Sequence, residues 1–268
     1  MRALVREGSA AEKVDKLREL GVSIEKVDYF NGPKMIRACT GGSCVESALS
    51  GLEDVLLDAQ SQLLDAAVKA GVPRFIPSDY AIDFTKLPEG SNRNLDIRRK
   101  FHMRLQNARI SATSILSGMF TDLLTGPAPV ILFKRKRVMY WENPDQLLDF
   151  TTIDNVAEFT AAAAMDPSTP RFLYIAGDQI SARGIADVMT KLKGEEFKLF
   201  RAGGLGRLGA MIRIMRFLIR GDDLYPPWQG MQYLHNMFSG VPKLVRVDND
   251  RYPAIKWVTV RQYLREAA

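Results

Sequence analysis

The fold is decided by 70-AGVPRFIPSDYAIDF-84. Gly71 closes the amphipathic run before it, as a glycine just past a helix end does. Arg74–Pro77 is a short apolar run that reads as a buried strand. Ser78, Asp79 and Tyr80 follow at once, placing three polar groups at its carboxyl end. Helix, buried strand and polar tip make up the repeating unit of a parallel α/β sheet, whose ligands sit beyond the strand ends.

The same unit recurs on both sides. Upstream, Ala3–Arg6, Val22–Val27 and Cys44–Leu49 read as strands, with Glu12–Leu20, Lys34–Cys39 and Leu52–Ala70 as helices. On the last of these, Leu56, Leu57, Leu63, Leu64 and Ala67 fall near one face. Downstream, Leu95–Ala108 reads as a helix and Ala112–Leu116 as a strand. Strands joined through helices cannot pair as hairpins, so they form a parallel ladder with right-handed crossovers. The informative positions are then the tips: Arg6, Asp28-Tyr29, Ser47–Ser50, Ser78–Tyr80 and Gly118–Phe120.

The pattern changes after Pro127. The run 130-VILFKRKRVMYWEN-143 reads as two strands around a basic turn, and 149-DFTTIDNVAEFTAAAAMD-166 as a strand end and a helix with Asp154 near its N-cap. Strands at Phe172–Ile175 and Phe197–Phe200 and a basic, apolar helix near Leu208–Ile219 follow. We expect an α/β domain over residues 1–127. A smaller α+β lobe covers 128–268, with some segments returning to the sheet.

Composition narrows the function classes. The chain has 268 residues, 46% hydrophobic and 25% charged, as in ordinary globular proteins. No stretch reaches the roughly 18 apolar residues that span a membrane, and the N-terminus does not read as a signal peptide. A cytoplasmic location without a membrane partner is expected. A net charge of +6 suits an anionic ligand and is too mild to argue for nucleic acid. Two histidines and two cysteines, Cys39 and Cys44, exclude a multi-histidine metal centre, and no metal is expected.

The segments 44-CVESALSG-51, 70-AGVPRFIPSDYAIDF-84, 115-ILSGMF-120 and 149-DFTTIDNVAEFTAAAA-164 together resemble the NmrA-like branch of the atypical short-chain dehydrogenase/reductases, which includes the isoflavone-reductase-like proteins. The resemblance implies a Rossmann-type domain binding NADP(H), with NAD(H) the lesser alternative, and a smaller substrate lobe. It also implies a first strand and a glycine-rich turn ahead of the segment that opens here. About 20–25 residues of the family pattern would then lie upstream of Met1. Either Met1 is not the native start, or the chain is a fragment with impaired cofactor binding.

The resemblance also assigns roles to the tips. Arg6, where NAD-preferring proteins place an acid, would accommodate a ribose 2′-phosphate, helped by Ser9. The alternative is a solvated arginine. Asp28 and Tyr29 would flank the adenine, or serve as turn residues. The small residues Ser47, Ala48 and Leu49 would let ribose or nicotinamide approach, or simply pack tightly. Gln60 would face the cofactor, or lie on the surface. Ser78 would touch the cofactor and, with Tyr80, assist proton transfer. The familiar Tyr-x-x-x-Lys pair is absent, because Phe84 follows Tyr80 at that spacing. Its role falls to Lys100 in 95-LDIRRKFHMRL-105, although the matching position could be Arg98, a poor proton donor. His102 reads as a packing residue.

Three further features stand out. Gly204–Gly209, GLGRLG, fits a dinucleotide-binding pattern but is followed by no strand ending in an acid at the needed spacing. Lys134–Arg137 reads as a solvated turn. The run 207-RLGAMIRIMRFLIR-220 could line a pocket, pair with another subunit, lie on a membrane surface or pack as core. Two functions remain: an oxidoreductase reducing a small apolar or aromatic carbonyl or quinone, or a non-catalytic NAD(P)-sensing regulator. The partners expected are a small-molecule substrate and a protein partner or second copy.

Overall fold

A computed structural model of the chain describes residues 1–126, 128–219, 221 and 223–267, apart from the side chain of Lys13. Its backbone divides into two compact units that interleave along the chain: residues 1–78 with 100–113, and 79–99 with 114–268. The expected boundary at Pro127 lies outside the described residues.

The first unit is a set of parallel ladders. Strand β1 (Arg2–Arg6) leads through helix α1 (Ala11–Glu19) to β2 (Ser23–Val27), and the two pair in parallel from Arg2↔Ser23 to Arg6↔Val27. Helix α2 (Gly32–Cys39) connects to β3 (Val45–Glu46). A π-helical stretch, Asp54–Ala59, runs into α3 (Gln60–Lys69) and then β4 (Arg74–Ile76). Helix α4 (Arg93–Gln106), of which this unit holds the part from Lys100 on, precedes β5 (Ser111–Ala112), which completes a parallel β3–β4–β5 ladder. Met35, Leu64, Ala67, Phe75 and Phe101 form the dry centre of this unit, with the Phe75 and Phe101 rings 6.1 Å apart.

Three details differ from the sequence reading. The strand expected over Cys44–Leu49 pairs only at Val45–Glu46, and the chain bends at Gly51–Leu52 before the next helix. A Cβ on Gly51 would lie 2.3 Å from the Val55 Cβ, so only glycine fits that turn. The helix expected from Leu52 opens as a π-helical stretch, a feature frequent at functional sites. The strand expected over Ala112–Leu116 breaks at Thr113: β5 pairs with β4, while β6 (Ser114–Leu116) belongs to the second unit.

The second unit holds β6, β7 (Met119–Phe120), β8 (Ile131–Leu132), β9 (Arg137–Trp141), β10 (Leu147–Thr151), α5 (Ile153–Met165), β11 (Phe172–Tyr174), β12 (Asp178–Ser181), α6 (Ala182–Lys193), β13 (Lys198–Gly203), α7 (Leu205–Leu218), α8 (Pro227–Phe238) and α9 (Val260–Ala267). The strands join as β12–β10–β7, β11–β6 and β13–β9–β8. The basic run is the expected turn: β8 and β9 are antiparallel, and Lys136 between them is left-handed at φ 49°. The first turn of α5 is capped by Thr152, whose hydroxyl accepts the Asn155 N–H, and not by Asp154. Leu116, Val138, Phe150, Ile185, Met189 and Leu208 form its core.

Candidate functional site

The tips of β1 and β2 bring Arg6, Ser9, Asp28 and Tyr29 together. The Ser9 N–H donates to the Arg6 carbonyl at 3.0 Å, so the two residues share one turn. Arg6 is exposed, and its guanidinium has no hydrogen-bond or ionic partner among the described residues. Its sequence neighbour Glu7 is held instead by Lys34, with Nζ 2.8 Å from Oε1. The tip therefore presents an uncompensated guanidinium.

Asp28 and Tyr29 part company at this tip. Asp28 is exposed, and its Oδ1 accepts the Phe30 N–H at 2.9 Å, a local turn. Tyr29 turns inward into the core and donates its hydroxyl to the Leu4 carbonyl at 3.4 Å. Burial raises the phenol's pKa, and the Arg6 charge opposes the rise. The exposed ring at this tip belongs to Phe30, which the sequence reading passed over. An aromatic directly past a strand end was the available signal.

The β3 and β4 tips are tied together from behind. Gln60, fully buried, accepts the Ser78 N–H on Oε1 at 2.9 Å and donates from Nε2 to the Leu56 carbonyl at 3.0 Å. The Ser78 hydroxyl donates to the Leu49 carbonyl at 2.7 Å. Gln60 is thus an internal strut, neither a surface residue nor one with a free amide. Ser47 is buried at the β3 tip with its hydroxyl unpaired, while Ala48 is exposed and Leu49 half-buried. A buried hydroxyl without a partner is costly unless something else meets it.

Lys100 lies on the exposed side of α4, with Nζ 2.8 Å from Glu53 Oε1. It thereby links α4 to the segment before the π-helical stretch. His102 is buried, as expected of a packing residue.

The second unit holds the rest of the set. Tyr80 is half-buried. Asp79, with no exposed surface, lies in the field of Arg171, whose guanidinium donates to the Ser114 hydroxyl at 2.6 Å. Arg98 donates to the Asn94 carbonyl of its own helix at 3.1 Å. The GLGRLG run does pass from strand β13 into helix α7, but Glu142 fills the helix start. Its Oε2 accepts the Leu205 N–H at 3.0 Å, and a Cβ on Gly204 would lie 2.8 Å from it. A carboxylate already satisfies that N-terminus, which closes it to a phosphate. Among the described residues, no group of three or more potential metal ligands gathers. No described helix is long and apolar enough to cross a membrane.

The model of the NmrA-like family matches residues 1–202. The chain belongs to the NmrA-like family. It is 28% identical over 144 residues to an NmrA-like family domain-containing oxidoreductase of Gibberella moniliformis, covering 51% of this chain and 46% of that protein. The chain thus spans about half the length of that relative. Its fold matches AtPrR2 with NADP+ and (+)pinoresinol at a TM-score of 0.83, with 20% identity, covering 100% of this chain and 90% of that one. It matches an isoflavone reductase at 0.81, with 18% identity, covering 100% and 91%. The fold is the Rossmann-type α/β class expected, and the resemblance to isoflavone-reductase-like proteins holds.

Proposed function

We propose that this NmrA-like chain is an NADP(H)-binding oxidoreductase of the atypical short-chain type that reduces a small apolar or aromatic carbonyl or quinone. The observation that carries the reading is Arg6, an exposed guanidinium whose neighbouring acid is taken by Lys34. It suits a ribose 2′-phosphate by charge and by its two-pronged geometry. NAD(H) is disfavoured, because Glu7, the acid next to Arg6, is engaged by Lys34. The AtPrR2 structure with NADP+ supports the same cofactor.

The described residues fit such a group in part. Arg6 and Ser9 would hold the 2′-phosphate. Asp28 would meet the adenine edge, with the Phe30 ring beside it. Ser47, Ala48 and Leu49 would face the ribose and nicotinamide, and the orphaned Ser47 hydroxyl would gain a partner there. Gln60 fixes Ser78 at the next tip. No described residue is assigned to the pyrophosphate. When bound, the nicotinamide supplies the hydride. Lys100 then delivers the proton to the substrate oxygen, with Ser78 or Tyr80 helping to orient it. Lys100 must first leave Glu53, a small step, since an exposed ion pair contributes only about 0–1 kcal/mol.

The alternative is a non-catalytic NAD(P)-sensing regulator with a protein partner or a second copy. The Lys100–Glu53 pair and the missing Tyr-x-x-x-Lys spacing favour it. The two free thiols, Cys39 and Cys44, support a cytoplasmic setting in either case.

Calorimetric titration with NADPH, NADP+ and NADH, run beside a turnover screen of quinones and aromatic carbonyls, separates the readings. The oxidoreductase prefers the phosphorylated cofactor, turns over, and slows strongly in Lys100→Ala. Tight, redox-selective binding without turnover identifies the regulator. No measurable affinity for any of the three overturns both.

A further inference from the structure

Helix α7 takes no part in the proposed cofactor site. Met211, Ile214, Phe217 and Leu218 are all exposed on it, the last two by 70% and 67%. No other helix presents so many large apolar side chains to solvent among the described residues. Their spacing of three, six and seven residues from Met211 puts them on one stripe. Leu208 and Ile212, four apart on another face, seat the helix in the core.

The charge on α7 has one sign. Arg207, Arg213 and Arg216 lie within it, and it has no acidic residue. Arg216 stacks over the Trp228 ring at 5.3 Å, while Arg207 and Arg213 are exposed. At its N-terminal end, the Glu142 carboxylate caps the first turn.

We propose that α7 docks on an anionic lipid surface. The four apolar side chains enter the headgroup boundary, and Arg207 and Arg213 meet lipid phosphates. Two arguments select this occupant. Four side chains are far fewer than the roughly 20–30 residues per side that a stable protein interface takes, whereas a lipid surface requires no matching shape. A second copy laid along the same stripe would set arginine against arginine, since α7 itself carries no acidic residue. The helix has only 14 residues, so it lies on the surface and does not span it.

The test is co-sedimentation of the whole chain with phosphatidylcholine vesicles, with and without phosphatidylserine, at low and raised salt. The expected result is binding at least about tenfold tighter with phosphatidylserine, weakening as salt rises. It should fall by about tenfold or more in the double variant Phe217→Gln/Leu218→Gln and in Arg207→Gln/Arg213→Gln. Far-UV circular dichroism checks that each variant keeps its fold. If the apolar pair does not fold, the arginine pair decides alone. The proposal fails if neither vesicle binds, if both bind equally, or if folded variants bind as the wild type does. It also fails if equilibrium sedimentation shows a dimer that Phe217→Gln/Leu218→Gln dissolves, since a second copy would then cover the stripe.

Discussion

Replacing Gln60 with Leu would remove the strut behind the strand tips while keeping nearly the same volume. Two hydrogen bonds disappear: Ser78 N–H to Oε1 at 2.9 Å and Nε2 to the Leu56 carbonyl at 3.0 Å. The Ser78 N–H is then buried without its acceptor, which costs about 1–3 kcal/mol. The lost bond to Leu56 adds roughly 0.5–1.5 kcal/mol, and the more apolar side chain returns about 1 kcal/mol. The net destabilisation is about 2 kcal/mol. With a urea slope of about 2 kcal/mol/M, the midpoint of the affected transition falls by about 1 M. Far-UV circular dichroism follows both units. Fluorescence follows only the second, because Trp141, Trp228 and Trp257 all lie in it. Ser78→Ala, which loses the bond to the Leu49 carbonyl, costs about 1 kcal/mol. A circular-dichroism midpoint lowered by less than about 0.25 M in Gln60→Leu would refute the reasoning, because a buried amide with both ends engaged cannot be replaced so cheaply.

Three more outcomes are expected. Arg6→Ala should weaken NADPH binding by about 10- to 100-fold, the range for a charged contact discounted for exposure, and leave NADH within about threefold; calorimetry with both cofactors checks this, and an equal loss on the two would remove Arg6 from phosphate recognition. Gly118→Ala should cost about 3 kcal/mol or more in thermal or urea unfolding, because φ is +70° and the new Cβ would lie 2.4 Å from the Asp149 carbonyl oxygen. The Asp166 carboxyl is held far below the usual carboxylate range, first by the Ser168 hydroxyl and N–H and then by Arg251 and Tyr252. Its stabilisation is therefore present above the unfolded value near pH 4 and drains away as pH falls below it. The urea midpoints of wild type and Asp166→Asn should differ at neutral pH and converge on acidification, and a constant gap would contradict this.

The parallel architecture was legible because it needs only periodicity. A short buried strand between amphipathic runs fixes direction, and direction places the tips. What the pattern could not see is where a strand stops pairing. Ala112 and Ser114 are alike in sequence terms, yet one pairs with β4 and the other with β11. That break depends on which partner strand reaches each residue, and pairing partners are distant in the chain. The π-helical stretch is hidden for a related reason. The apolar residues of 52–70 satisfy a helical face either way, and the close approach of Gly51 to Val55 is a contact the periodicity does not contain.

The site divides along the same line. Gln60 was readable in principle: it lies four residues after Leu56 and four before Leu64, on the buried stripe, and a polar residue there needs an internal partner. Arg6 is a harder case. Glu7 stands beside it and, from sequence alone, would be its natural counter-ion. Lys34, 27 residues away, takes Glu7 instead, because α2 returns alongside β1 and β2. Whether a tip presents a net cation is thus set by a pairing made at long range. Tyr29 follows the same logic: its place next to Asp28 suggested a role at the ligand, but the Leu4 carbonyl draws its hydroxyl inward and leaves the exposed position to Phe30. If the adenine ring does stack at this tip, Phe30→Ala should weaken NADPH and NADH binding alike, unlike Arg6→Ala, because an aromatic face does not sense the 2′-phosphate. Loss of NADPH binding alone in Phe30→Ala would mean that the ring acts by positioning Arg6 and not by stacking.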